Sequence, residues 1–372
     1  MKILHLIDSF DARFDRDQTK LVEFLECKGY HNTVVTSKFS SDWRIIRAAD
    51  FKNWERKFHQ TEIMHMASLR IPTPLSKSLS PIYLPSRQLL HSFDIVHAYT
   101  FNTYSSFVGA ALKRIKNAKL VARSDLSQAA YCKARSIPFY RTIMTYPFRI
   151  ADAVYTYSNL EKHLLVNLGV KENRIWIIPA GIDFDKFSKL PIGQGRAPIT
   201  IGYLGRFCFV KGIHRAVSAL QRLLREEKIR VIFTGIIESV EYAKTVMDPL
   251  KEFVNFQYRG DLSTSPMDFY NMCDVVLIPS ISETGAITVL EAMASGRAVI
   301  ASNINPINDY IEHGRTGFLL SEENDIYACT KKLIQDPGQV TEFGERARRA
   351  AEKYDWRHLI RRYEAMYQSV LE

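Results

Sequence analysis

The feature that most constrains this chain is an alternation that occurs twice. Short runs apolar at nearly every position are followed by stretches of helical spacing, first from Lys2 and again from Ile199. The first series opens with KILHLI (Lys2–Ile7) and a helical stretch over Gln18–Lys28. It continues through strands expected at Asn32–Ser37, Asp94–Tyr99, Lys119–Arg123, Ala153–Ser158 and Arg174–Pro179. The second opens with ITIGYLG (Ile199–Gly205) and a helical stretch over Ile213–Glu227. Strands are then expected at Arg230–Gly235, Asp274–Ser280 and Arg297–Ser302. A strand with one solvated face alternates apolar and polar residues. A strand that is apolar throughout must be covered on both faces, and with helices between the strands that predicts parallel sheets. Two such series predict an α/β chain of two Rossmann-like domains, with ligands beyond the carboxyl ends of the strands, in a cleft between domains. The stretch LPIGQGRAP, from Leu190, reads as a linker. It divides the chain into domains 1–190 and 191–354.

Charge separates the two halves. The 372 residues carry a net charge of +10. Residues 1–190 hold 28 Lys+Arg against 17 Asp+Glu, and residues 191–372 hold 22 against 23. The excess therefore belongs to the first half, where it calls for an anionic partner: nucleic acid, a membrane surface or a phosphorylated ligand. Five scattered cysteines, never in CxxC spacing, fit reduced thiols rather than a disulfide framework or a zinc site. No apolar run approaches the roughly 18 residues of a membrane span. Asp8 interrupts the opening run too early for a signal-peptide core, so a cytoplasmic location is expected.

Three segments suit one ligand. Gly205-Arg206-Phe-Cys-Phe-Val-Lys211-Gly212 follows the strand ITIGYL directly. Gly205 lets the chain turn off the strand. Arg206 and Lys211 then lie at the strand's carboxyl end, ahead of a helix, as a diphosphate requires; a plain basic surface loop is the competing reading. Glu283-Thr284-Gly285-Ala286-Ile287-Thr-Val-Leu-Glu291 follows the strand DVVLIPS. Its two glutamates lie up to ~12 Å apart if helical, a separation that spans both ends of a sugar nucleotide. Amides near Gly285 and Ala286 would present a helix N-terminus to phosphate oxygens. Glu283 could equally be a helix cap and Glu291 a solvated side chain, but Glu291 lies among Val289, Leu290, Ala292 and Met293, where an idle carboxylate is costly. The third segment, IPAGIDFDKF (Ile178–Phe187), is a strand followed by a glycine turn.

Together these segments resemble the family 4 retaining glycosyltransferases of GT-B fold. The resemblance rests on GRFCFVKG, PSISETGAITVLEAMASG, RAVIAS, HGRTGFLL (His313–Leu320) and the IPAGIDFDKF turn, and it covers the second half nearly end to end. It implies two Rossmann-like domains and a closing helix, about 355–372, that returns to the first. It implies that Arg206 and Lys211 neutralise a donor diphosphate, that Glu283 binds the transferred sugar and Glu291 the ribose, and that Gly205, Thr284, Gly285, Ala286 and Ile287 complete the donor site. A nucleotide-diphosphate sugar is then the co-substrate, with no metal and no other cofactor. Fixed cations stabilise the leaving diphosphate, and no second carboxylate nucleophile is needed. A same-fold transferase with a small soluble acceptor, and a non-catalytic sugar-nucleotide-binding subunit, are the alternatives.

The first half departs from the family pattern. The loop after the first strand has no glycine and offers Arg13 and Arg16, either as phosphate contacts or as partners of the neighbouring aspartates. Where the family commonly places a histidine, this chain has Arg123-Ser124-Asp125. Asp125 is either a polar group beside the reaction centre or the cap of the next helix. His97, at the end of DIVHAY, is either a cleft residue or structural. Between Leu126 and Ala151 no acid occurs, while Lys133, Arg135, Arg141 and Arg149 interleave with Tyr131, Phe139, Tyr140, Tyr146 and Phe148. That suits peripheral contact with an anionic membrane on its cytoplasmic face, or a lipid-linked acceptor. The competing reading makes these aromatics core and the basic residues a soluble face. No nucleic-acid motif is present.

Overall fold

The computed structural model describes residues 1–10, 17–38, 51, 55–66, 68–72, 79–83, 89, 91–101, 103–261, 266–322 and 325–372. It contains two compact units, Met1–Pro179 with Trp356–Glu372, and Ala180–Asp355. The division falls earlier than the expected linker at Leu190. The reason is that the glycine turn is spent on the second unit: Ile182 N–H donates to the Tyr354 carbonyl at 3.0 Å, and Phe187 packs edge-on against Tyr270.

The first unit is built on a seven-stranded, all-parallel sheet. Its strands are β1 (Lys2–Ile7), β2 (His31–Ser37), β3 (Glu62–Met66), β6 (Ile95–Ala98), β7 (Lys119–Arg123), β8 (Ala153–Thr156) and β9 (Ile175–Ile177). They run in the order β3-β2-β1-β6-β7-β8-β9. A separate antiparallel hairpin joins β4 (Ser68–Pro72) to β5 (Leu79–Tyr83). The apolar runs have the expected cause. Leu4, Leu6, Val96, Ala98, Leu120 and Ala122 enter one core, and Ile3, Ile7, Ile95, Tyr99, Val121 and Tyr155 enter another. The second core is covered by the closing helix, Trp356–Leu371, whose Trp356, Leu359, Ile360, Tyr363, Met366, Tyr367 and Val370 form one buried stripe at spacings of three and four. Each large apolar side chain buried there contributes about 1.5–3 kcal/mol.

The second unit repeats the plan with six parallel strands: β10 (Ile199–Leu204), β11 (Ile229–Thr234), β12 (Phe256–Tyr258), β13 (Val275–Ile278), β14 (Ala298–Ser302) and β15 (Phe318–Leu320). Their order is β12-β11-β10-β13-β14-β15. In each sheet the winding reverses beside the first strand, between β1 and β6 and between β10 and β13. Those are the positions where open α/β sheets leave a crevice for ligands. The expected helix at Ile213–Glu227 begins as a 3₁₀ turn, Ile213–Ala216, before becoming α-helical at Val217–Glu226. Among the described residues, no helix is long and apolar enough to cross a membrane.

Candidate functional site

At the reversal point of the second sheet, the loops after β10 and β13 are knitted together. Ile281 N–H donates to the Val210 carbonyl at 2.9 Å. Gly212 has φ +66°, and a Cβ there would lie 2.1 Å from the Pro279 carbonyl oxygen. Only glycine lets the two loops approach so closely. That approach brings Lys211, from the first loop, to Glu283, from the second: Nζ donates to Oε1 at 2.7 Å, and Ser280 Oγ donates to the same oxygen at 2.8 Å. The lysine and glutamate side chains are 22% and 11% exposed, buried enough to hold one geometry and open enough to meet a ligand.

Gly205 closes β10, and its N–H donates to the Thr234 carbonyl at 3.1 Å. Gly235, at φ +136°, passes so close to Gly205 that a Cβ would lie 1.9 Å from its carbonyl oxygen. Arg206 follows and is half exposed; its Nη1 pairs with Glu238 Oε2 at 2.5 Å. The Arg206 carbonyl accepts the Tyr203 hydroxyl at 2.9 Å. Arg206 thus stands at the mouth of the loop and Lys211 deeper in it.

Thr284 leads into the helix Ile287–Ala294, whose N-cap Ala286 adopts the left-handed conformation at φ +46°. Gly285 and Ala286 are buried, and the Tyr310 hydroxyl donates to the Gly285 carbonyl at 3.1 Å. This turn aims the first helical amides, Ile287 among them, away from intrahelical partners. One turn on, Glu291 Oε2 accepts the Tyr270 hydroxyl at 2.8 Å. Burial, then the Glu291 charge, drive the Tyr270 phenol well above its ordinary range, so it acts purely as a neutral donor. Glu291 is therefore held rather than solvated. Tyr270, Ser280, Tyr310 and Glu238 all support this site and were not singled out in the sequence. Each reaches it from outside the motifs or as an ordinary loop residue.

Residues 188–350 match the family described as "Glycosyl transferases group 1", and residues 19–186 match "Glycosyltransferase Family 4". The chain belongs to the family 4 glycosyltransferases. Among curated relatives, it is 22% identical over 301 residues to the uncharacterized glycosyltransferase MJ1607 of Methanocaldococcus jannaschii, covering 75% of this chain and 76% of that one. It is 27% identical over 310 residues to the sulfoquinovosyl transferase SQD2 of Arabidopsis thaliana, covering 76% of this chain and 58% of the plant enzyme. The chain thus spans little more than half of that relative's length. The crystal structure of Anabaena HepE in complex with UDP and glucose superposes with a TM-score of 0.75 at 18% identity, covering 99% of this chain and 100% of that one. That likeness shows the GT-B fold.

In this glycosyltransferase three of the candidate acceptor-side residues, His97, Ser124 and Asp125, lie in the first unit on β6 and just after β7. His97 is not an open site residue. It is fully buried in the core under the closing helix, where Nδ1 meets the Tyr367 hydroxyl at 2.7 Å and its ring stacks on Tyr99. Burial, helped by His5 and Arg123, pulls its pKa well below the usual imidazole range. Asp125 does not cap the next helix. Ser127 does, accepting from the Ala130 N–H, while Asp125, left-handed at φ +48°, pairs with Arg123 Nη2 at 2.7 Å. The Arg123 guanidinium lies 4.6 Å from the centre of the Tyr157 ring. Ser124 is buried and donates to Glu161 Oε1 at 2.5 Å.

Arg13 and Arg16 lie outside the described residues. Of the aspartates around them, Asp8 Oδ1 accepts from Ser105 and Asp17 Oδ2 from Tyr157, so neither is merely solvated. The aromatic residues of the basic stretch divide. Tyr131, Tyr140 and Phe148 are core, whereas Phe139 is 77% and Tyr146 36% exposed, and Arg114 lies over the Tyr146 ring.

Proposed function

We propose that the chain transfers a sugar, with retention of anomeric configuration, from a nucleotide-diphosphate donor held by the second unit. The observation that carries this reading is the Lys211–Glu283–Ser280 junction where the β10 and β13 loops meet. Lys211 and Arg206 neutralise the donor diphosphate, and the amides around Gly285, Ala286 and Ile287 add partial positive charge. Glu283 holds the hydroxyls of the transferred sugar and Glu291 those of the ribose. The glycosyl–oxygen bond breaks with its electron pair passing to the diphosphate. The acceptor oxygen bonds the anomeric carbon on the same face, and its proton leaves with the departing phosphate. Charge accumulates on the diphosphate during this step, where preorganised cations act most strongly. No metal enters the scheme.

HepE, whose fold this chain shares, has been solved with UDP-glucose, which supports a uridine nucleotide as the first donor to try. Asp125 is assigned to acceptor hydroxyls. The acceptor is read as lipid-linked or a growing glycan, with the exposed Phe139 and Tyr146 and the nearby Arg114 and Arg141 resting on an anionic membrane surface.

The test is a thermal-shift screen of UDP, GDP, ADP and their glucose conjugates. A ligand at 100 times its Kd adds about 2.7 kcal/mol of stability. No shift with any of them would overturn the donor assignment. For the nucleotide that binds, Lys211→Ala should lower turnover about 10²–10³-fold, with Glu283→Gln close behind. Unchanged turnover in both would remove these residues from the site.

A further inference from the structure

Glu161 belongs to no motif, yet it grips the turn that carries Asp125. It sits in the first turn of the helix Asn159–Asn167, capped by Ser158, and it is buried. Its Oε1 accepts from Ser124 Oγ at 2.5 Å and from the Leu126 N–H at 2.7 Å. Its Oε2 accepts from the Tyr157 N–H at 3.0 Å. Two of these three donors flank Asp125 directly in the chain. Asp125 needs such support, because a non-glycine residue held at φ +48° adopts a conformation its own backbone disfavours. Strain of that kind persists only where the surroundings over-determine it.

We propose that Glu161 is a positioning residue: it fixes the Ser124–Leu126 turn and thereby sets where the Asp125 carboxylate is presented. The functional half of this inference rests on the assignment of Asp125 to the acceptor; the clamp itself does not. The clamp is also titratable. Burial pushes the Glu161 carboxyl up to about 7, against the pull of the Ser124, Leu126 and Tyr157 hydrogen bonds. The charged neighbour acting on it is Asp125, from the turn after β7, which repels it and raises it further. From its own helix and the segment before it, the facing groups are the neutral Tyr157 amide and Ser158. Because burial and Asp125 both penalise the ionised carboxylate, protonation favours the clamped turn over any opening that returns the carboxyl to water, and the clamp loosens as pH rises through about 7.

Two measurements on the intact chain decide this. Hydrogen exchange of the 124–126 segment, compared at pH 6 and pH 8.5 after correction for intrinsic rates, reads the clamp. Glu161→Ala should raise exchange at Leu126 about tenfold, one charge-assisted hydrogen bond converted to a rate, and Glu161→Gln should remove most of the pH difference. Unchanged protection in Glu161→Ala overturns the clamp. The second measurement is nucleotide release from UDP-glucose, or from the GDP or ADP sugar that gives the larger thermal shift, between pH 6 and pH 8.5. Wild type should lose kcat, with little change in KM, above about pH 7. Glu161→Gln should flatten that limb while retaining activity. An unaltered pH profile in Glu161→Gln overturns the positioning role. Absence of release by wild type at every pH would instead overturn the nucleotide-sugar reading, and exchange would still decide the clamp.

Discussion

The two units wind their sheets in the same order, but they treat the carboxyl ends of those sheets in opposite ways. In the second unit the loops leave Lys211 and Glu283 partly exposed above a buried Ser280, and glycine brings the loops together: the three meet because Gly212 lies against Pro279. In the first unit the equivalent ground is buried. Arg123, Ser124, Tyr157, Glu161 and Asp17 spend their hydrogen bonds largely on each other or on nearby backbone. The difference separates two ways of holding charge. A partly exposed pair keeps some of its hydration until a ligand replaces it. A buried network has already lost that hydration and must be satisfied internally.

The comparison breaks most visibly if the glycines of the second unit are dispensable. Gly235→Ala places a methyl group 1.9 Å from the Gly205 carbonyl oxygen on a backbone at φ +136°. The β10 and β11 loops must then separate, with an expected loss of about 4 kcal/mol in urea denaturation. A loss under about 1 kcal/mol would mean that close approach is not what shapes this end of the sheet.

The buried network of the first unit is tested by acid. His5 is fully buried, donates from Nε2 to Asn32 Oδ1, meets the Tyr99 hydroxyl at Nδ1, and is pulled by burial down to about 4. Its folded value is depressed, so its contribution is complete above the unfolded value of 6.5 and is lost as pH falls toward 4. His97 acts in the same direction. Glu161 has the opposite sign. Its folded value, about 7, is raised above the unfolded 4.5, so its contribution is complete below 4.5 and is lost as pH rises through 7. Between pH 4.5 and 6.5 the two kinds of group offset each other, each by up to about 3 kcal/mol. Glu161→Gln removes one side of that balance. The variant's unfolding free energy should fall more steeply with acid than wild type's over this window. Parallel curves would show that Glu161 is not buried as a titrating carboxyl.

Much of this organisation was legible in the chain, and the exceptions share a cause. Long apolar runs such as Lys2–Ile7 and Ile199–Leu204 lie inside the sheets, where both faces are covered. β3, β4, β5, β12 and β15 were missed; all five are edge strands of their sheets, and β12 and β15 are only three residues long, so their patterns carry little signal. Arg206, Lys211, Glu283 and Glu291 could be read because glycines and strand ends punctuate their segments. Glu161 left only a Ser158-x-x-Glu161 capping pattern, which marks an ordinary helix start just as well. His97 was ambiguous because a strand end does not reveal which face a later helix will cover. Here that helix comes from the far end of the chain, with Tyr367 meeting the ring.

A smaller effect sharpens the account of the open site. Tyr270→Phe removes the hydroxyl that steadies Glu291 and leaves the ring packed against Phe187 and Phe269. Stability should change by about 1 kcal/mol. If Glu291 serves the ribose, nucleotide affinity, read by the same thermal shift, should weaken several-fold, because Glu291 loses one of the contacts that order it. Equal affinity in the variant would show that Glu291 does not need the Tyr270 hydroxyl to hold it.

The smallest effect separates the two cations of the loop after β10. Arg206 pairs with Glu238 while both side chains are about half exposed, 52% and 50%, whereas Lys211 and Glu283 are largely enclosed. An exposed pair gains little in water, because solvent screens it and two long side chains lose freedom to form it. Glu238→Ala should therefore shift stability by no more than about 0.5 kcal/mol. It also frees the guanidinium for an incoming anion. If Arg206 serves the diphosphate, the variant should bind the nucleoside diphosphate as tightly as wild type or slightly more tightly, with stronger dependence on salt, since less of the local positive charge is already compensated. A marked loss of affinity in Glu238→Ala would mean that the carboxylate is needed to aim Arg206. The arginine would then belong with the internally satisfied groups of the first unit rather than with Lys211.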